Sequence, residues 1–402
     1  MTNRWAVCSK CGDNFPQNKV LTVCSSCGGA LMFNYNLQTI ADVISKQVLK
    51  KREDTFWKFL ELLPVSSRKN IISLGEQYTP LIKLTGEYGT ESENIFVKDD
   101  GRLPTGTFKA RGMAVGVSAL KELGLTSLAV PSAGNAGAAL SAYGRRAGMK
   151  IYVFMPEDVP ESILKECIFL GGEVYLVDGL INDAAKIVGR LVKRFGWFDF
   201  STNKQPYRFE GYKATAFEIA EQFDWVLPDK LLFPTGGGEG IIGLWKGFKE
   251  LTELGYIENI PELIAVQSSG CAPLVKAFEN GKSEVKEAWK DAETIAAGLR
   301  VPLPFASYLV LRAIKETNGM AISVDEDEII SSMKTFFKHG IYACPEATVT
   351  LAAFLKLESK GIIESDEKTL LYVTGSALKH LDIMRVQRDS IKVLGKDAVS
   401  LT

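Results

Sequence analysis

The strongest constraint in this sequence is an alternation. From about Ile71 onward, short β-rich runs alternate with helical runs: NIFVKDD, KARGMAVGVSALKEL, TSLAVPS, NAGAALSAYGRRAG and KIYVFMP. GEVYLV, a helix ending near Phe195, KLLFPT, GIIGLWKGFKEL, ELIAVQS and TLLYVTG continue it. Strands separated by helices pair in parallel, with helices on both faces of the sheet, so the fold class is α/β. Ligands of such sheets bind at the carboxyl ends of the strands, which directs attention to the strand-to-helix loops. A chain of 402 residues has room for two or three domains. Its 46% hydrophobic content supports a sizeable core. A formal charge of −1 gives no electrostatic reason to expect nucleic acid or a membrane as partner. No apolar run approaches the ~18 residues of a membrane span. The start MTNRWAVCSKCG has no apolar signal core, so a cytoplasmic location is expected.

Four of the seven cysteines fall in the first stretch, as two C-x-x-C pairs: Cys8 with Cys11, and Cys24 with Cys27. Gly12, Gly28 and Gly29 follow the pairs. This spacing is that of a zinc ribbon, in which four thiolates close a tetrahedron and leave no open position for chemistry. Such a zinc would be structural. The alternative is two unrelated, inert pairs. Cys167, Cys271 and Cys344 read as small buried hydrophobes. After the ribbon, LQTIADVISKQVLKKREDTFWKFLELLP carries apolar residues at helical spacing and stops at Pro64, as a helical connector would.

Three loops stand directly after strand-like runs. The first is SAGNAG, with Ser132 and Asn135; the second is TGGGEG, with Gly236, Gly237, Gly238, Glu239 and Gly240; the third is TGSALKH, from Thr374. Small residues at a helix start leave backbone N–H groups free at its positive end, which suits an anion. The second loop is the best phosphate cradle, although Glu239 would have to turn away from the anion. It is neither a Walker A loop nor a dinucleotide fingerprint. The first loop suits a carboxylate, or else Ser132 and Asn135 merely cap a turn. Thr374 and Ser376 admit the same two readings.

PTGTFKARG places Lys109 where a helix begins. A lysine becomes a nucleophile toward carbonyls when it is desolvated or set near other cations. Phe108 could exclude water and Arg111 could supply the neighbouring charge; otherwise Lys109 is an exposed first-turn lysine. An imine-forming lysine, a phosphate cradle, a carboxylate loop and a hydroxyl loop together fit pyridoxal 5'-phosphate with an amino-acid substrate.

The ordered set SLGEQYTPLIKL, PTGTFKARG, PSAGNAG, PTGGGEG and YVTGSALKH, with the ribbon before it, resembles the pyridoxal-phosphate enzymes of fold type II, and among them threonine synthases. The resemblance covers nearly the whole chain. It implies two domains of mostly parallel sheet flanked by helices. The large cofactor domain would span 65–108 and 230–402, and the small α/β domain 109–229. A zinc-ribbon-like segment at 1–37 and the connector at 38–64 would precede them. It implies Lys109 as the catalytic residue that carries the cofactor as a Schiff base. Gly236, Gly237, Gly238, Glu239 and Gly240 would form the loop around the cofactor phosphate, and Thr374 would meet the ring nitrogen, with Ser376 as a stand-in. Ser132 and Asn135 would meet the substrate carboxylate and the cofactor's ring oxygen, and Arg208 a substrate phosphate. A homodimer is implied as well.

The sequence also departs from the family pattern. Ala110 replaces an aspartate common after the lysine, Ala136 a threonine, and Thr202 an asparagine that commonly binds the substrate phosphate. The expected activity is that of a lyase converting O-phosphohomoserine and water to threonine and phosphate. The alternatives are a threonine or serine dehydratase, or a β-replacement synthase acting on phosphoserine. A reading from another class is a zinc-ribbon binding module on an inactive scaffold. His339 and His380 read as structural or surface residues, and Glu346 lies either near the ring edge or on a solvated helix start.

Overall fold

The computed structural model describes residues 4–84, 88, 90 and 92–384. The last part of the expected large domain, 385–402, lies outside the described residues. Among the described residues, thirteen strands form three sheets. In chain order they are β1 (Arg4–Cys8), β2 (Asn14–Phe15), β3 (Leu31–Tyr35), β4 (Leu81–Lys83), β5 (Ile95–Asp99), β6 (Ser127–Pro131) and β7 (Lys150–Pro156). The others are β8 (Glu173–Val177), β9 (Phe198–Asp199), β10 (Lys230–Pro234), β11 (Glu262–Ser268), β12 (Met320–Val324) and β13 (Thr369–Val373).

The N-terminal sheet is a small antiparallel one, ordered β2-β1-β3. The largest sheet runs β12-β11-β10-β13-β5-β4 and is parallel except for β4, which pairs antiparallel with β5. The third, β8-β7-β6-β9, is parallel throughout. β10 and β13, KLLFP and TLLYV, are buried at every residue, as parallel strands covered on both faces must be. β4, β9 and β12 had no counterpart among the runs read from the sequence; two of them are only two or three residues long.

The connector departs from expectation. It is not one helix but two five-residue helices, Leu37–Ala41 and Lys46–Lys50, followed by 3-10 turns at Phe56–Leu62. Phe56, Trp57, Phe59 and Leu62 are buried, so tertiary packing rather than helical periodicity places these apolar residues. Close helix packing then fixes the centre of the molecule. A Cβ on Gly211 would stand 2.2 Å from the Arg111 carbonyl oxygen, so the helices Lys109–Glu122 and Tyr207–Gln222 touch backbone to backbone. Among the described residues no helix is long and apolar enough to cross a membrane.

Candidate active site

The carboxyl ends of β6, β9, β10 and β13 converge on one cavity of about 600 Å³. Lys109, Ser132, Asn135, Gly236, Gly237, Gly238, Glu239, Gly240 and Thr374 all line it. Two of the three loops lead into α-helices as expected, Asn135–Arg146 and Glu239–Glu253. The third leads only into a 3-10 turn, Ala377–Lys379.

Lys109 is the first residue of its helix, and the turn before it is sewn to the third loop. The Phe108 N–H donates to the Thr374 carbonyl at 2.8 Å, and the Ser376 N–H donates to the Gly106 carbonyl at 3.0 Å. Nζ of Lys109 lies 4.4 Å from the centroid of the Phe108 ring and 5.6 Å from that of Tyr212. Its side chain keeps 21% exposure, and the residue lines the cavity. Burial lowers its pKa from 10.5 to about 8; Glu239, 3.7 Å away, opposes that shift, and Arg208 adds to it. An amine of this kind is partly neutral near physiological pH and therefore nucleophilic.

The cation acting on Lys109 is thus Arg208 and not Arg111, as the sequence suggested. Arg111 turns into the core, where Nε donates to Asp100 at 2.7 Å and one terminal nitrogen to Glu218 at 2.6 Å. Lys98 also pairs with Glu218, and all these side chains are fully buried. Two residues along a helix from Lys109, the side chain is turned by roughly 200° and faces the opposite layer.

The glycine loop is shaped by what surrounds it. A Cβ on Gly238, at φ +86°, would meet Val310 Cγ2 at 2.3 Å. One on Gly240 would meet the Phe233 ring at 2.2 Å, and one on Gly237 would meet Thr202 Cγ2 at 2.7 Å. Only glycine fits, and the first turn of the helix that follows leaves its N–H groups without intrahelical partners. Glu239 begins that helix but turns away from the loop, pairing with Arg208 and accepting from the Asn203 N–H at 3.1 Å. The conflict between this carboxylate and an anion is thereby removed.

Two expected substrate residues are placed otherwise. Arg208 does not line the cavity: it is fully buried behind Glu239 and donates to the Phe200 carbonyl at 2.8 Å. Ser132 lines the cavity, but its hydroxyl is spent on its own loop. It donates to the Gly134 carbonyl at 2.7 Å and accepts from the N–H groups of Gly134 at 3.2 Å and Gly137 at 2.9 Å. The Asn135 side-chain amide oxygen, by contrast, is buried without a hydrogen-bond partner beside the cavity. Ser376 accepts from the Leu378 N–H at 3.3 Å and is outside the lining, whereas Thr374 is in it.

Asn203 and Lys204 were not singled out from the sequence. The Asn203 amide donates to the Gly237 carbonyl at 2.6 Å and steadies the glycine loop. Lys204 lines the cavity with its ammonium 4.0 Å from Asp199. Both follow β9, so the strand-end rule would have reached them had that two-residue strand been legible.

A depressed lysine, a glycine cradle at a helix start, an unpartnered amide and a hydroxyl at a strand end define a pyridoxal-phosphate-dependent enzyme of α/β fold. The family described as "Pyridoxal-phosphate dependent enzyme" matches residues 72–375, and the chain belongs to that family. Threonine synthases are among its relatives within that family. That of Methanocaldococcus jannaschii is 37% identical over 393 residues, covering 96% of each chain. That of Methanosarcina acetivorans is 33% identical, covering 92% of this chain and 91% of its own. Among solved structures, maize serine racemase superposes with a TM-score of 0.65 at 22% identity, covering 77% of this chain and 94% of that one. Tomato (Solanum lycopersicum) threonine deaminase isoform 2 gives 0.65 at 19% identity, over 83% and 94%. At these identities the superpositions speak to the fold.

Proposed function

We propose that this enzyme is a lyase of the threonine synthase kind, taking O-phosphohomoserine and water to threonine and phosphate. The observation that carries the reading is Lys109: an amine with its pKa brought to about 8, on the wall of a cavity that the glycine cradle also lines. Lys109 would hold the cofactor covalently. The N–H groups from Gly236 to Gly240 would hold its phosphate, Asn135 its ring oxygen and Thr374 its ring nitrogen. When bound, pyridoxal phosphate supplies an electron sink that weakens the bonds at the substrate's α-carbon.

The protein's own groups supply the rest. The Lys109 amine, when free, would serve as the base at the substrate's α-carbon, and a pKa near 8 suits it both to take and to return a proton. The rings of Phe108 and Tyr212 cover part of that amine. A neutral hydroxyl such as that of Thr374 would supply no charge to hold a ring nitrogen protonated, which would favour elimination over transamination. The N–H groups of the SAGNAG loop, held in shape by Ser132, receive the substrate carboxylate. With Arg208 withdrawn, the substrate phosphate falls to Lys204. Of the other cations lining the cavity, Arg300 is held by both oxygens of Asp158 at 2.7 Å, and Lys186 pairs with Asp183 at 2.9 Å.

The four N-terminal cysteines fit structural zinc. Their sulfurs lie within 4.8 Å of one another, and neighbouring pairs are 3.4–3.6 Å apart. A tetrahedron with bonds of about 2.3 Å requires edges of about 3.8 Å. We also carry forward the division into large and small domains, a homodimer and a cytoplasmic location.

The test is direct. Purified protein loaded with pyridoxal phosphate and given O-phosphohomoserine should release threonine and inorganic phosphate in equal amounts; a loaded protein that releases neither refutes the reading. The withdrawal of Arg208 favours one alternative, a dehydratase or β-replacement enzyme with the same cofactor. Keto-acid release from threonine or serine, without use of phosphohomoserine, would select the dehydratase.

A further inference from the structure

A second cluster lies along the cavity wall, next to Thr374. Cys344, Glu346 and His380 are 1%, 6% and 2% exposed, and one ligand-capable atom from each lies within 4.8 Å of the others. Glu346 is anchored through Oε1, which accepts from the Gly298 N–H at 2.9 Å. Its Oε2 is buried and has no hydrogen-bond partner. His380 Nε2, also buried and without a hydrogen bond, stands 3.4 Å from that oxygen. Each buried polar atom left unpaired costs about 1–3 kcal/mol, so two of them facing each other call for something between them.

The spacing matches a cation. In a tetrahedral site with bonds of about 2.0–2.1 Å, nitrogen and oxygen ligands stand about 3.3–3.4 Å apart. The Cys344 sulfur completes a set of one sulfur, one nitrogen and one oxygen. That set suits a zinc-class ion and not magnesium or calcium, which prefer all-oxygen shells. The frame is built: the Cys344 N–H donates to the Gly375 carbonyl at 2.9 Å, Ala343 bridges to Ser376, and the His380 N–H donates to the Ala377 carbonyl at 2.8 Å. Three protein ligands leave a fourth position. Cys344 and Glu346 both line the cavity, which places the cluster on its wall.

We infer that Cys344, Glu346 and His380 form a second divalent-metal site, of zinc class, separate from the N-terminal cysteines and on the wall of the active-site cavity. An ion there occupies the corner beside Thr374 and inhibits the enzyme. The site stands independently of which amino acid is the substrate.

The test is a metal count on the holoenzyme after equilibration with micromolar zinc chloride and removal of weakly held ion. Wild type should retain one more zinc per chain than His380→Ala or Cys344→Ser, all three keeping the cofactor's absorbance as proof of folding. Zinc should inhibit wild type at concentrations at least about 10- to 100-fold below those that affect His380→Ala, since loss of even an outer-shell partner weakens metal affinity by that much. Equal metal content in the three proteins overturns the inference. Should the variants fail to fold, cobalt(II) added to wild type whose ribbon already holds zinc decides the matter. A new sulfur-to-cobalt charge-transfer band supports the site, and its absence refutes it.

Discussion

Replacing Glu239 by Gln isolates what sets the reactivity of Lys109. The carboxylate stands 3.7 Å from Nζ. Two unit charges at that distance interact by about 1 kcal/mol in water and about 4.5 kcal/mol at an effective dielectric constant of 20. At 1.36 kcal/mol per pKa unit, loss of the carboxylate lowers Lys109 by about 1–3 units, from about 8 to about 5–7. The sign is firm, because the carboxylate favours the ammonium, and removing it also uncovers the opposing charge of Arg208. At pH 7 the neutral fraction of the amine then climbs from about a tenth to between about a half and nearly all. The assay is cofactor uptake by cofactor-stripped protein as a function of pH, trapped with borohydride and read by mass. The variant should take up cofactor about five- to tenfold faster at pH 7, with the midpoint of the profile moved toward acid. The same change leaves Arg208 buried without its carboxylate at a cost of about 3–5 kcal/mol, so folding must be verified by circular dichroism. A folded variant whose profile is unmoved, or moves toward alkali, refutes the account of Lys109.

Gly238→Ala should lower stability by about 1–3 kcal/mol, from positive φ and the clash with Val310, and weaken cofactor binding; urea unfolding and a cofactor titration measure the two effects. Glu218 is held down at about 2 by Arg111 and Lys98 in spite of burial, so its stabilising contribution is present above its unfolded value of 4.5 and is lost as pH falls toward 2. Acid unfolding followed by circular dichroism should therefore steepen over that window in wild type and flatten in Glu218→Gln, which also loses about 3–5 kcal/mol at pH 7. If the N-terminal cysteines hold zinc as proposed, removing it with a chelator should weaken cofactor retention. The Tyr308 hydroxyl bonds Ser9 at 2.8 Å and accepts from the Ala30 N–H at 3.0 Å, and its helix carries Val310 against Gly238. Unchanged retention in metal-free protein would show that the ribbon and the cradle are mechanically separate.

Much of the site was legible because its information is local. A glycine run after a buried strand, a lysine at a helix start and paired C-x-x-C knuckles each depend on residues a few positions apart. Strand ends bring such loops to one edge of a sheet whatever the rest of the chain does. The short strands β4 and β9 left no comparable signal, and with β9 went Asn203 and Lys204. The connector misled because burial against a core and one face of a helix leave similar apolar patterns in a sequence.

The amino-acid order alone determined the alternating architecture, the lysine and the glycine loop, since backbone conformation and periodicity arise between neighbours along the chain. Tertiary structure decided which charge meets which. Glu239 reaches Arg208 across 31 residues, and Glu218 takes Arg111 out of the site across 107. Ionic and hydrogen-bonding partners are chosen by distance in space within a few ångströms, and the packing of helices from distant parts of the chain sets that distance.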